Sequence, residues 1–144
     1  MVLVLSLLLV QMPQNPSPMV ETTRDHTRPP QGSPAGRRVP VDLGTLFLPP
    51  NPRHELLVFF HGGQQLPEVA GAAQRQAVIS IQLGPSSDSY VEAYQDRTRF
   101  LRLLDQAKAK SGFSFSSVIL AGWSAGCGGV RQIIRDDEAY KRVS

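Results

Sequence analysis

The chain of 144 residues is long enough for one domain with a buried core. Its 15 basic and 12 acidic residues give a formal net charge of +3. The basic residues are scattered and do not form a stripe with aromatic residues between them, which argues against nucleic-acid binding. A single cysteine excludes an internal disulfide, and no spacing of His, Asp or Glu predicts a metal site.

The first 37 residues do not have the composition of a folded domain. Residues 2–10 are apolar except for Ser6, which is the length of a signal-peptide core and too short for a stable membrane span. Residues 11–37 are rich in proline and polar residues and cannot bury enough surface to fold. We therefore predict a signal segment and a disordered linker in a secreted or periplasmic protein, with the domain at residues 38–144. The alternative is a mis-assigned start or an N-terminal strand in a cytoplasmic protein.

The domain alternates between predicted strands and helices. Residues 39–48 predict an edge strand with Pro40 near its start. Residues 55–60 form the near-continuous apolar run of a strand that is buried on both faces of a parallel sheet. A helix over 67–76, a strand over 77–83 and a loop over 84–88 follow. The next helix begins at a capping box formed by Ser89 and Glu92 and ends at Gly112. A strand over 116–121 and a helix from Ala125 to about Arg135 complete the predicted elements. This order predicts an α/β domain with a mostly parallel sheet covered by helices.

The last predicted strand runs directly into Gly122-Trp123-Ser124-Ala125-Gly126, and a helix follows. A strand, a Gly-x-Ser-x-Gly turn and a helix in this order are typical of a nucleophile elbow, which lifts the serine hydroxyl clear of the sheet. A Cβ at either flanking glycine would collide with backbone across such a turn. Ser124 is therefore the candidate nucleophile, and the Ala125 N–H is a candidate donor to the oxyanion of a tetrahedral intermediate. The alternative for Ser124 is an ordinary turn serine.

A second motif, His61-Gly62-Gly63, follows the strand at residues 55–60. Its two glycines permit a sharp turn that presents a backbone N–H as a second oxyanion donor, from either Gly62 or Gly63. The alternative role for His61, that of the catalytic base, is disfavoured because His61 precedes the nucleophile in the chain and lies within this motif.

The two motifs together resemble those of the α/β-hydrolase family, especially its serine esterases and lipases, over about residues 40–144. The resemblance implies a truncated α/β-hydrolase fold that lacks its C-terminal strands and helices. It implies hydrolysis of a small-molecule ester through an acyl-enzyme, with Ser124 as nucleophile and with no cofactor or metal. It also implies an oxyanion hole formed by Ala125 with Gly62 or Gly63, and a structural role for His61 in shaping the loop.

The residues after the nucleophile do not supply a complete catalytic triad. In this family an acid and then a histidine follow the serine. All three histidines of the chain precede Ser124: His26, His54 and His61. The acidic cluster at residues 136–138 lies near the end of the predicted helix, and we interpret it as a solvated helix end. We therefore expect a nearly inactive N-terminal part of a hydrolase, whose acid and base lie beyond residue 144. The alternatives are a non-catalytic binding or scaffold protein, and a peptidase or acyltransferase of the same fold.

Three further predictions concern the neighbours of the elbow. Trp123 is expected to form a wall beside the nucleophile, with a role in substrate specificity as the alternative. Cys127 is expected to be a small buried apolar residue. Gly128 and Gly129 are unfavourable so early in a helix by about 1 kcal/mol each relative to Ala. Their presence predicts close packing of this helix against the sheet. The sequence does not indicate an oligomeric state.

Overall fold

The computed structural model describes residues 33–144, so the predicted signal segment and most of the predicted linker lie outside the described residues. The strands are β1 (Arg37–Val41), β2 (Gly44–Leu48), β3 (Glu55–Phe60), β4 (Ala77–Ile81) and β5 (Ser117–Gly122). The helices are α1 (Gln65–Gln74), α2 (Ser87–Ala93), α3 (Thr98–Ser111), α4 (Cys127–Ile133) and α5 (Asp137–Tyr140), and a 3-10 turn covers Ser124–Gly126. Within this part of the chain, no helix has the length and apolar character needed to cross a bilayer.

The five strands form one mixed sheet in the order β1-β2-β4-β3-β5. β2 pairs antiparallel with both β1 and β4, whereas β3 pairs parallel with both β4 and β5. The prediction of a mostly parallel sheet in a truncated α/β-hydrolase fold is therefore wrong. The structure is a small α/β domain in which antiparallel and parallel pairings are equally represented.

The antiparallel half of the sheet arises because residues 39–48 form a hairpin and not one strand. The chain reverses at Asp42 and Leu43, and Leu43 adopts a left-handed conformation with a φ of 62°. Gly44 begins β2 at a position where a Cβ would overlap the backbone of β4. Arg99 of α3 holds the turn by donating to both carboxylate oxygens of Asp42, with Nε–Oδ2 at 2.7 Å and Nη2–Oδ1 at 3.2 Å. Pro40, which lacks an N–H, lies in the outer strand as predicted.

The core is built on one face of β3, the central strand of the parallel half. Every second side chain of this strand is fully buried: Leu56, Val58 and Phe60. The side chains between them, including Phe59, are only half-buried, so the predicted burial on both faces of the strand is wrong. Phe60 contacts Tyr94 edge to face, with ring centroids 5.5 Å apart. The fully buried face therefore ends at the residue from which the His-Gly-Gly loop departs.

The predicted helix from Ser89 to Gly112 is divided into two helices by local side-chain caps. Ser86, and not Ser89, caps α2 by accepting a first-turn backbone N–H at 3.2 Å. Asp96 then accepts the backbone N–H of Thr98 at 3.0 Å and begins α3. Gly112 ends α3 in a left-handed conformation with a φ of 78°, as predicted.

β5 is an outer strand of the described sheet, and Ser144 lies along its free edge. The Ser144 N–H donates to the Val118 carbonyl at 2.8 Å, and the Val118 N–H donates to the Ser144 hydroxyl at 3.3 Å. The other end of β5, at Gly122, leads into the candidate site.

Candidate active site

The two glycine motifs follow the carboxyl ends of two neighbouring strands and therefore begin side by side. β3 and β5 are parallel neighbours, and Phe60 at the end of β3 lies opposite Gly122 at the end of β5. The Trp123 N–H donates to the Phe60 carbonyl at 3.0 Å, which continues this pairing into the loop. A Cβ added to Gly62 would lie 3.7 Å from the Cβ of Trp123. The loop after β3 is therefore in contact with the residue that precedes Ser124.

Ser124 occupies a strained turn between β5 and α4. Its φ is 46°, in the left-handed region that costs a residue with a side chain about 1–2 kcal/mol. The Gly126 N–H donates to the Trp123 carbonyl at 2.8 Å and closes the turn. Ser124 is exposed, whereas the next residue, Ala125, is buried. This strand–turn–helix arrangement is the geometry that was predicted for a nucleophile elbow.

The glycines of the elbow lie where side chains would collide with neighbouring atoms. A Cβ on Gly122 would lie 2.9 Å from the carbonyl carbon of Gly126, and a Cβ on Gly126 would overlap the Phe60 carbonyl. A Cβ on Gly129 would approach the Phe60 ring at 3.3 Å, so this glycine packs α4 against the sheet as predicted. Gly128 instead faces α2, where a Cβ would lie 2.9 Å from a backbone oxygen. The two glycines therefore allow close approach to two different elements.

The loop after β3 turns through three consecutive left-handed residues. The φ angles are 69° at His61, 92° at Gly62 and 86° at Gly63. The Gly63 N–H faces the side-chain oxygen of Gln82 at a long distance of 3.4 Å. Within residues 33–144, neither the Gly62 N–H nor the Ala125 N–H has a hydrogen-bond acceptor. Of the two glycines considered as oxyanion donors, Gly62 is therefore the better candidate.

The His61 ring is held by polar contacts with the side chains of Tyr90 and Gln82. Its Nδ1 lies 3.0 Å from the Tyr90 hydroxyl, which also accepts the Leu83 N–H at 3.0 Å. The side-chain oxygen of Gln82 faces the Gly63 N–H, and its NH₂ group lies 3.3 Å from Nδ1. These contacts fix the loop, in keeping with the structural role implied for His61.

The described residues place no general base against Ser124, the candidate nucleophile. The Ser124 hydroxyl has no hydrogen-bond partner in residues 33–144. His54 immediately precedes β3 and therefore lies at the opposite end of that strand from the site. Its Nδ1 contacts the Ser114 carbonyl at 2.8 Å. His26 lies outside the described residues. Asp136 in the acidic cluster caps the start of α5 by accepting a backbone N–H at 2.9 Å, so the cluster begins a further short helix beyond the end of α4.

An apolar cavity of about 180 Å³ opens next to the elbow. Its lining residues come from β3, the His-Gly-Gly loop, α1 and the elbow: Phe59, Gly62, Leu66 and Trp123. Trp123 is 59% exposed and forms one wall of this cavity, as predicted. Sequence reasoning missed Phe59 and Leu66, although both lie within four residues of the His-Gly-Gly motif.

Gln82 and Tyr90 were also missed as residues of the site. The position of Gln82 directly after β4 was a signal that it belongs to the site. β3 and β4 are parallel, so the residues that follow them lie next to each other. Tyr90 gave no signal, since a buried tyrosine on an amphipathic helix is usually a core residue.

Cys127 is exposed, so the prediction that it is buried is wrong. It begins α4 on the side facing away from the core, and its Sγ lies 3.4 Å from the Gly122 carbonyl. In the part of the chain that the structure describes, His, Cys, Asp and Glu side chains form no group of three or more that could hold a metal.

Comparisons with models of known protein families, with characterised proteins and with solved structures found no match to this chain. Functional inference therefore rests on the sequence motifs and on the geometry of the site.

Proposed function

We propose that residues 33–144 carry the nucleophile and the oxyanion hole of a serine hydrolase that cleaves carboxylic esters. One observation carries the proposal: Ser124 stands exposed on a left-handed turn, directly beside the loop that presents the Gly62 N–H. The two motifs resemble those of serine hydrolases in the α/β-hydrolase family, and we propose membership of that family on those residues. Export of the protein, inferred from residues 1–10, remains part of the same proposal.

The reaction begins with attack of the Ser124 hydroxyl oxygen on the ester carbonyl carbon, while a base takes the hydroxyl proton. The carbonyl electron pair moves onto the oxygen, which accepts hydrogen bonds from the N–H groups of Ala125 and Gly62. Collapse of this intermediate, with transfer of the proton from the base to the leaving oxygen, expels the alcohol and leaves an acyl-enzyme. Water then hydrolyses the acyl-enzyme to the carboxylic acid and free Ser124. A single oxyanion donor typically contributes about 3–4 kcal/mol to stabilisation of the transition state.

The general base comes from outside residues 33–144 in this proposal, because no described histidine contacts the Ser124 hydroxyl. Loss of a triad histidine removes most of the rate, but an oxyanion hole and substrate binding still leave about 10³-fold acceleration over water. We therefore expect the chain of 144 residues to react slowly and to respond to an added base.

A second candidate function is a non-catalytic binding protein that retains the elbow. The observation that favours it is the Ser124 hydroxyl without a partner in the described residues. The two functions differ in whether Ser124 reacts when a base is supplied.

Labelling of the purified chain with a fluorophosphonate, with and without a high concentration of imidazole as external base, tests the proposal. We expect slow modification that imidazole accelerates, with the label on the peptide containing Ser124. Ser124→Ala should abolish labelling. Ser116 lies at the other end of β5, and Ser116→Ala should leave labelling unchanged. Labelling that survives Ser124→Ala would overturn the proposed nucleophile. No labelling of the wild-type chain in imidazole would favour the binding protein.

A further inference from the structure

The apolar cavity beside the elbow lies where one side of an ester would be placed during attack by Ser124. Trp123, which lines the cavity, immediately precedes the nucleophile, and Gly62 is the proposed oxyanion donor on the opposite loop. An ester carbonyl bound between Ala125 and Gly62 would therefore have one substituent next to the cavity. The chemistry of the cavity thus bears on the class of substrate.

Two large apolar side chains of this cavity are unusually exposed. Leu66 is 65% exposed and Trp123 is 59% exposed. Single exposed apolar residues are common in proteins, but neighbouring ones that line a concave site are typical of binding sites. Removing such surface from water contributes about 25 cal/mol per Å². A ligand that covers both side chains would gain this contribution, which the free protein lacks.

The size of the cavity fits one ring and not a long chain. Its volume of about 180 Å³ is smaller than the range of roughly 300–1,000 Å³ that is usual for drug-sized ligands. An apolar cavity of about 150 Å³ in another protein is large enough to bind benzene. Phe59 and Trp123 also offer ring edges and faces, and aromatic pairs attract one another beyond the contribution of the area that they bury.

The lining favours an uncharged group. None of the four lining residues is ionisable. Glu68 on α1 is the carboxylate closest in sequence to Leu66, but it is only 2% exposed. Its oxygens are held by Arg38 at 2.6 Å and by the Gln64 amide at 2.6 Å. The cavity therefore offers no counter-charge, and an ionised group would lose hydration there without compensation.

We propose that this cavity binds a single neutral aromatic ring, and that the hydrolase acts on small aromatic esters. The reaction in this inference rests on the proposed function, whereas the binding of the ring does not. Trp123 is the only tryptophan of the chain, so its fluorescence reports directly on occupancy of the cavity.

The experiment is a titration of the purified chain with N-benzylacetamide, an unreactive amide analogue of a benzyl ester. We expect a saturable change in the fluorescence of Trp123 and weaker binding of N-octylacetamide, whose chain exceeds the cavity. No saturable change, or tighter binding of the octyl compound, would overturn the inference.

A pair of variants tests whether N-benzylacetamide binds in this cavity. Leu66→Asp puts a carboxylate in the lining and should weaken binding of N-benzylacetamide about ten-fold or more, which corresponds to about 1.4 kcal/mol. Ile134→Asp makes the same change at another exposed apolar residue, at the end of α4, and should bind as the wild type does. Equal weakening by both variants would overturn the assignment to this cavity.

Ser124→Ala separates the two proposals. This variant should lose fluorophosphonate labelling and still bind N-benzylacetamide. Labelling of Ser124 without binding of the ring would refute the aromatic substrate class and leave the hydrolase intact. Binding of the ring without labelling would refute the hydrolase and leave the aromatic site intact.

Discussion

The Cα of Gly126 lies directly against the carbonyl group of Phe60, so closely that a side chain at residue 126 would overlap it. The same Phe60 carbonyl accepts the N–H of Trp123 at 3.0 Å. These two contacts hold the turn after β5 against the end of β3, and they place Ser124 beside the His-Gly-Gly loop. The candidate site is therefore positioned mainly by close approach of two backbones.

Gly126→Ala should lower the free energy of unfolding by about 3 kcal/mol, because neither backbone can move away from the added methyl group. Urea denaturation measures this loss. Gly112→Ala is the control, since a Cβ there meets no atom within 4 Å and only the positive φ of 78° opposes it. That variant should lose about 1 kcal/mol. A loss at Gly126 no greater than the loss at Gly112 would show that the predicted overlap is absent.

Ser124→Gly should be more stable than Ser124→Ala by about 1 kcal/mol, because glycine adopts the left-handed conformation without steric cost. Chemical denaturation of the two variants gives the difference directly. The same pair of substitutions at Ser116, which does not have a positive φ, should favour alanine. If alanine is also the more stable residue at position 124, the elbow is not strained.

Tyr90→Phe should destabilise the domain by about 1–3 kcal/mol, because it leaves the Leu83 N–H without its buried partner and leaves the His61 Nδ1 with only the longer contact to Gln82. The His61 ring nitrogen shifts in an NMR spectrum should change together with the unfolding midpoint. Tyr140→Phe removes a hydroxyl from a tyrosine that is 62% exposed and should have almost no effect. Unchanged His61 shifts in Tyr90→Phe would exclude the Tyr90 contact.

The ion pair between Asp42 and Arg99 should make stability depend on acid pH. Hydrogen bonding to the Arg99 guanidinium lowers the pKa of Asp42 below its ordinary value of 3.8. The stabilisation is therefore complete above the unfolded-state pKa and is lost as the pH falls through the lowered folded-state pKa. Asp42→Asn should cost about 1–2 kcal/mol at pH 7 and progressively less in acid, as measured by denaturation at several pH values.

Asp105→Asn serves as the control for the pH series. Asp105 is exposed and forms no ion pair within residues 33–144. It should follow the wild type at every pH. A difference between Asp42→Asn and the wild type that stays constant down to low pH would show that the charge of Asp42 contributes nothing.

The parallel half of the fold was accessible from the sequence because its strands are short apolar runs, two of which end at glycine motifs. β3 was predicted with its observed bounds, and β4 and β5 within two residues. The hairpin was missed because its turn depends on Leu43 with a positive φ, which no composition rule indicates. The break between α2 and α3 was missed because it depends on one side-chain cap at Asp96.

For the site, the sequence predicted the turn residues but not their supports. The Gly-x-Ser-x-Gly and His-Gly-Gly motifs indicate sharp turns, and both turns occur in the structure, with positive φ angles at Ser124 and at His61. Gln82 and Tyr90 contribute through contacts between residues far apart in sequence, and such contacts become visible only when the order of the strands is known. The choice of Gly62 over Gly63 as donor likewise required the position of Gln82.

A crystal structure of the fluorophosphonate adduct would show both the nucleophile and the oxyanion donors. We expect a covalent bond to the Ser124 oxygen, with the phosphonyl oxygen about 2.7–3.1 Å from the backbone nitrogens of both Ala125 and Gly62. A label on another residue, or a phosphonyl oxygen that faces solvent away from both nitrogens, would contradict this expectation.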